Sequence, residues 1–369
     1  MAYFKFNGIK IVGLAATVPQ NLVKVSDYYE KFGEDFVQKF SQKTGICEFR
    51  RTSTYQTASD LGYVAANYIL NKRNINRDLI GTLLFVAHST DYRRPATACV
   101  LHKRLNLNKD CYAVDMNLGC SAFVYGLTTI CSLMQNSDTK YSLLVVGETM
   151  TKITSPEDKS VAMLFGDAGG AILLEKTDNS DDTISGLLKT DGNGYRAIIA
   201  PAGGFRNLNA PKDLYNWNDG NARTLYNTVM NGDDVFGFTI SEVPRTIKEF
   251  LSKTETNIDN YDVCAFHQAN GFILKQLAKK FKISENKLPI SLDRYANTSA
   301  AAIPLTISDA LGEQNGAGEL KFLMCGFGVG LSWGVVSASI NVEDIYPVIE
   351  SDEYFKEGVI NSPEDYYNN

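Results

Sequence analysis

The sequence lacks the features that would carry it into a membrane, bind it to nucleic acid or staple it with disulfides. No apolar run in its 369 residues reaches the roughly 20 needed to span a bilayer. The first nineteen residues, MAYFKFNGIKIVGLAATVP, have no charged n-region followed by a long apolar block, so they read as a strand rather than a secretory signal. A cytoplasmic chain is the expectation. The seven cysteines, at 47, 99, 111, 120, 131, 264 and 325, are odd in number and without CxxC spacing, which argues against a disulfide framework and a zinc site. Positive charge is not in excess: the formal net charge is −6, where a nucleic-acid binder would show a basic stripe. Low-complexity tracts and short-period repeats are missing too. What remains is a chain with 44% hydrophobic and 11% aromatic residues, able to fill a sizeable core and long enough for two domains or one duplicated pair.

β-rich runs alternate with helical spacing along it. A strand GIKIVGL leads through helical segments at 61–70 and 96–105 and a strand at 83–87 to a further strand at 112–116, followed by a helix and the strands YSLLVVGE and GGAILLEK. In the second half a long helix at 234–251 leads to DVCAF, two more helices, and the strands LKFLMCGF and SWGVVSASI. Such alternation predicts layered α/β packing with largely buried sheets. The segment 187–226, rich in Gly, Asn and Pro, reads as a variable connection whose plainest role is a surface loop.

Chemistry enters at Cys120 in YAVDMNLGCSAFVYG, where the strand breaks at Asn117, Leu118 and Gly119 before helical spacing resumes. A thiol at a helix N-terminus meets unpaired N–H groups and the positive end of the dipole, which favour thiolate and predict the most reactive of the seven cysteines. Taken alone, a Cys beside Ala and Phe also fits a buried core. Two distant segments shift the balance. His267 lies between an apolar run and a helical pattern in VCAFHQANGFILKQLAKKF, and Asn297 occupies a small-residue turn in SLDRYANTSAAAIPL. One Cys with a His and an Asn far off in sequence is a recurring arrangement for thiol-based acyl transfer.

With DMNLGCSAF, HQAN and YANTSAAA, the loop-strand FGDAGGAILL from Phe165 and the closing GFGVGLSWG from Gly326, the chain resembles β-ketoacyl-acyl-carrier-protein synthase III over roughly residues 8–341. GLAATVP, KTGI at Lys43 to Ile46 and MNGDDVF at Met230 extend the match. The resemblance implies a thiolase-like fold, two related halves stacked in five αβαβα layers with the site between them. Residues 1–185 would form the half with the nucleophile, 186–345 the half with His and Asn, and 346–369 an acidic extension. It further implies a homodimer with no bound cofactor or metal, taking acyl thioesters of acyl-carrier-protein phosphopantetheine or of coenzyme A, with acyl carrier protein as partner.

By the same resemblance Cys120 takes an acyl group, and His267 and Asn297 stabilise the enolate left when a malonyl thioester loses carbon dioxide. The backbone N–H groups of Cys120 and Val329 form the oxyanion hole. Lys43, Arg94, Phe236, Asn270, Phe272, Lys275, Lys279 and Phe327 become the expected substrate and carrier contacts. Departures from the family pattern bear on the substrate. Val329 replaces a Gly, and Lys39 or Phe40 stands where a Trp stacks on adenine. Lys43 replaces its guanidinium partner, which puts coenzyme A in question. Phe272 replaces an Arg that receives the carrier, leaving Lys275 and Lys279 as the basic face. Arg94 takes the place of an aromatic that reaches across the dimer interface; buried, it would need Asp91 or a polar primer as counter-group. Three rivals stay open: acyl transfer to an oxygen or nitrogen nucleophile with His267 as base, a catalytically dead partner subunit, and a hydroxymethylglutaryl-type synthase using Glu148.

Overall fold

The computed structural model describes residues 2–314 and 316–368. The strands of its large sheet are β1 (Ala2–Asn7), β2 (Ile9–Val18), β3 (Ile80–Val86), β4 (Tyr112–Met116), β5 (Tyr141–Glu148), β6 (Ala168–Lys176), β7 (Thr183–Thr190), β8 (Val263–Phe266), β9 (Glu319–Gly328), β10 (Ser332–Asn341) and β11 (Ile349–Glu350). The helices that matter for the site are α1 (Glu34–Thr44), α2 (Ala58–Lys72), α3 (Thr97–Arg104), α4 (Ala122–Gln135), α5 (Gly232–Lys253), α6 (Gly271–Phe281) and α7 (Ala302–Leu311).

One pairing pattern occurs twice. In the first half β3 runs parallel to β5, β5 antiparallel to β6, and β6 antiparallel to β2. In the second half β8 runs parallel to β9, β9 antiparallel to β10, and β10 antiparallel to β7. β4 extends the first set beyond β3, and β1 extends the second beyond β7. The two sets meet where Ile340 of β10 pairs with Ile11 of β2, giving one continuous curled sheet. The boundary expected at residue 185 falls inside β7.

The helices sort by how apolar their surfaces are. α4 and α7 bury residues on nearly every face and lie between the two halves of the sheet, as a helix without a polar face must. α2 and α3 cover the outer side of the first half, and α5 with α6 covers the second. The order is therefore α, β, α, β, α. Strands such as β5, buried along seven of their eight residues, carry near-continuous apolar runs because helices cover both faces. The extension after Ile345 does not hang free: β11 adds to β2, and the following residues run across α2 and α3. No helix among the described residues is long and apolar enough to cross a membrane.

Candidate active site

A cavity of about 510 Å³ opens between the two halves, and Cys120, His267 and Asn297 all line it. Each stands at the end of a different element and is nearly buried, with exposures of 7%, 1% and 6%.

Cys120 comes from the turn between β4 and α4, one residue before the helix N-cap Ser121. The GFGVG turn after β9 packs directly onto it. Gly328 has φ +156°, and a Cβ there would lie 2.5 Å from Cys120 Cβ and 2.8 Å from Sγ, so only glycine lets the backbone approach the thiol. Val329 keeps an ordinary φ while Gly328 and Gly330 take the positive values, which explains why a side chain is accommodated at that position. Burial pushes the Cys120 thiol up, against the expectation from its helix terminus; the Val329 N–H and the Ser299 hydroxyl work in the opposite direction. Ser299 Oγ is 3.7 Å from the sulfur. Cys47 and Cys99, by contrast, are exposed, so accessibility to a polar reagent does not single out Cys120.

His267 follows β8, and its N–H still donates to Cys325 O at 2.8 Å, extending the parallel pairing by one residue. Its ring meets Phe327 edge-on, 5.3 Å between centroids. Burial lowers its pKa to about 3, and Nδ1 has no protein partner. The imidazole is thus neutral at any working pH, suited to donating a hydrogen bond and poor as a base. Gln268 fixes the turn by donating to Phe266 O at 2.8 Å and accepting from Ser291 N at 3.2 Å. Asn270 caps α6, accepting from Ile273 N at 2.9 Å.

Asn297 sits in a strained loop, with Ala296 at φ +53° and Ser299 at φ +48°. Non-glycine residues hold such angles only where surrounding contacts impose them, and they cluster at functional sites. Those contacts come from Leu164 and the FGDAGG segment that follows it: Asn297 N donates to Leu164 O at 3.1 Å and Gly166 N to Asn297 O at 3.1 Å. Because Asn297 Oδ1 accepts from Ser299 N at 2.9 Å, the amide nitrogen is left as the free donor. Asp167 in the same segment is structural, accepting from Thr52 and Thr151 side chains at 2.8 and 2.6 Å.

Of the remaining expected contacts, Phe236, Asn270 and Phe327 line the cavity, whereas Lys43, Arg94, Phe272, Lys275 and Lys279 do not. Lys43 is exposed in the last turn of α1, and the cation–aromatic pair on that helix is instead Lys159 Nζ, 5.7 Å from the Phe36 ring. Phe40 packs against the core. Arg94 is exposed, and Asp91 is engaged by Ser59 Oγ at 2.8 Å rather than by that guanidinium. Phe272 is exposed and packs against Phe236 with the rings tilted and 5.6 Å between centroids, so a single ring pair joins the cavity to a groove formed with Ile240, Lys279 and Lys280.

Glu148 is fully buried at the end of β5, holding the His88 and Ser89 N–H groups, and does not line the cavity. That removes the carboxylate the hydroxymethylglutaryl-type rival needs.

Two parts of the wall were not foreseen in the sequence. Ile198, Ile199, Ala200, Ala202 and Gly204 come from the segment read as a surface loop, and His88 and Asn117 come from the ends of β3 and β4. Among the described residues no group of three His, Cys, Asp or Glu side chains could hold a metal ion.

Comparison with known proteins gives the same direction throughout. Residues 114–192 match the family model of 3-oxoacyl-[acyl-carrier-protein] synthase III, and residues 251–340 match the model of its C-terminal part. A β-ketoacyl-[acyl-carrier-protein] synthase III of Clostridium acetobutylicum is 31% identical over 89% of this chain and 97% of its own. One from Streptococcus pyogenes is 30% identical over 90% and 99%. The crystal structure of a 3-oxoacyl-(acyl-carrier protein) synthase from Burkholderia xenovorans superposes with a TM-score of 0.87 at 35% identity, covering 95% of this chain and 99% of that one.

Proposed function

The chain belongs to the 3-oxoacyl-[acyl-carrier-protein] synthase III family of acyltransferase-type condensing enzymes, and from that premise we propose how its residues divide the reaction. Cys120 attacks an acyl thioester and holds the acyl group. His267 and Asn297 donate hydrogen bonds to the carbonyl oxygen of a malonyl thioester as carbon dioxide leaves, and the enolate carbon then attacks the acyl-Cys. The backbone N–H groups of Cys120 and Val329 receive the tetrahedral oxyanion. The product extends an acyl chain by a decarboxylative Claisen condensation, in fatty acid or specialised acyl and polyketide biosynthesis.

The observation that carries this reading is the convergence of a thiol, a neutral imidazole and an amide nitrogen on one cavity. The weak basicity of His267, whose burial disfavours the imidazolium, also weighs against transfer to an oxygen or nitrogen nucleophile, which needs a base at that position. The malonyl donor arrives on acyl carrier protein, whose acidic surface meets Lys275, Lys279 and Lys280 on α6 while its prosthetic arm passes Phe236 and Phe272. The domain reading of two related halves rests on the repeated strand pairing, with 346–369 as a strap. Edge strand β4 and the turn after it, with Val114, Met116 and Leu118 only partly covered, form the natural face for a homodimer, and in that dimer the exposed Arg94 would serve the neighbouring subunit's acyl pocket. The protein works in the cytoplasm.

The division of labour is tested by intact-protein mass spectrometry together with carbon dioxide release. His267→Ala and Asn297→Ala should load Cys120 with acyl near the parent rate yet lose condensation by about 10²-fold or more. Loading abolished in Asn297→Ala with decarboxylation intact would reverse the assignment.

A further inference from the structure

The cavity holds a second imidazole. Among its described lining residues the titratable side chains are Cys120, His267 and His88, and His88 has no role in the condensation as proposed. Its backbone is clamped by buried Glu148, which accepts from His88 N at 2.8 Å and from Ser89 Oγ at 2.6 Å. Its ring is held from the other side: Nδ1 lies 2.5 Å from Asn117 Oδ1. An amide oxygen can only accept, so Nδ1 carries the hydrogen and Nε2 keeps its lone pair.

That lone pair faces the nucleophile's surroundings. A Cβ on Gly119 would lie 2.7 Å from His88 Cδ2, 2.9 Å from Nε2 and 3.2 Å from Ser299 Oγ. Only glycine fits there, because His88 Nε2 and the hydroxyl that lies 3.7 Å from Cys120 Sγ both crowd that one point. The two groups border one small space beside the thiol.

Loading requires a proton to travel. The Cys120 S–H bond must break as sulfur bonds to the acyl carbon, and the departing thiolate must be protonated as its carbon–sulfur bond breaks. His267 is unfit to accept that proton, because its burial disfavours the imidazolium that would result. Resting on the reading of Cys120 as nucleophile, we propose that His88 is the acid–base residue of the loading step. As the substrate binds, the Ser299 hydroxyl closes onto His88 Nε2 and passes it its proton while accepting the thiol proton, a contact of the kind that tightens only in the substrate complex, and the imidazolium then protonates the leaving sulfur. Imidazole, hydroxyl and Asn117 end as they began, and one proton has moved from one sulfur to another. Asn117 is the positioning residue that keeps the ring in the required tautomer.

The test is single-turnover acyl loading of the full-length enzyme, followed by intact-protein mass spectrometry, with His88→Gln, His88→Ala and Ser299→Ala. Each is run with an acyl-pantetheine thioester and the matching thiophenyl ester, whose leaving group needs no proton. Loss of a positioned acid–base group should slow loading from the alkyl thioester by about 10²-fold, with a much smaller effect on the aryl ester. Added imidazole should restore much of the rate to His88→Ala. Loading from the alkyl thioester within about threefold of the parent in both His88 variants, well short of that expected loss, would overturn the proposal. So would an equal loss on both esters without imidazole rescue, since that is the pattern of a merely structural histidine. Ser299→Ala gives the same discrimination if a His88 variant does not fold. Cys120→Ala separates this idea from the one beneath it: acyl loading that survives there defeats the nucleophile assignment itself.

Discussion

At the scale of single residues, the site is built by burial working against charge. His267 illustrates this with a measurable consequence for stability. Its pKa falls from 6.5 to about 3 on folding because the buried ring resists protonation. The unfolded chain therefore binds a proton that the folded chain refuses. The stabilisation is complete above pH 6.5 and is lost progressively as pH falls toward 3, at up to about 1.4 kcal/mol per pH unit. Comparing the enzyme with His267→Asn, which carries no titratable ring, cancels the other groups. Between pH 7 and 5.5 the parent should lose about 1 kcal/mol more unfolding free energy than the variant in urea titrations. Equal losses would mean that the ring is hydrated in the folded protein. Cys120 is subject to the same desolvation, and here sequence reasoning pointed the wrong way. The helix N-terminus was legible at DMNLGCSAF, but the depth of the thiol depends on Gly328, which arrives from more than two hundred residues away.

At the scale of elements, what could be read in advance was whatever announces itself locally. The strand-turn-helix around Cys120, the strand before His267 and the small-residue turn at Asn297 each carry a change of period or a capping residue, and the structure has them at those places. The segment 187–226 announces only turns, yet it supplies an apolar wall, because its Ile198 and Ile199 are ordered by tertiary neighbours rather than by periodicity. His88 was invisible for a related reason: nothing in FVAHST marks a site until β3 and β4 pair and bring Asn117 alongside. Helix α6 was legible, with Ile273, Leu274 and Leu277 buried and Lys275 and Lys279 exposed. Reversing both charges, Lys275→Glu with Lys279→Glu, should raise KM for the carrier-borne substrate about tenfold with kcat nearly unchanged, and the parent's KM should rise with salt. A salt-independent KM would place the carrier elsewhere.

At the scale of the whole molecule, the acidic extension becomes part of the first half's covering layer, and its contacts fall on groups that could not be left bare. Asp60 and Arg104 form an ion pair at 2.7 Å with side-chain exposures of 2% and 5%. Phe355 closes over it: its N–H donates to Asp60 Oδ1 at 2.9 Å and its ring lies 5.0 Å from the guanidinium, whose other side meets Tyr63 at 4.1 Å. Gln56, wholly buried, donates to Ser351 O and Glu353 O at 2.8 and 3.1 Å. Tyr92 donates to Gly358 O at 2.5 Å, which ties the extension to the loop that presents Arg94. Ending the chain at Glu350 keeps β11 but removes all of these partners, leaving a half-buried ion pair and a buried amide to be rehydrated in a pocket shaped for protein. Each net hydrogen bond is worth about 0.5–1.5 kcal/mol, and polar groups left unsatisfied cost more, so the truncated enzyme should lose roughly 2–4 kcal/mol. In a chain of this size that corresponds to a fall in Tm of about 3–5 °C by differential scanning calorimetry. Phe355→Ala in the full-length chain should reproduce part of the fall, because it opens the same ion pair while leaving the Gln56 and Tyr92 contacts in place. A truncated protein that melts within about 1 °C of the parent, against the several degrees the lost bonds predict, would show that the extension rests on the fold without holding it.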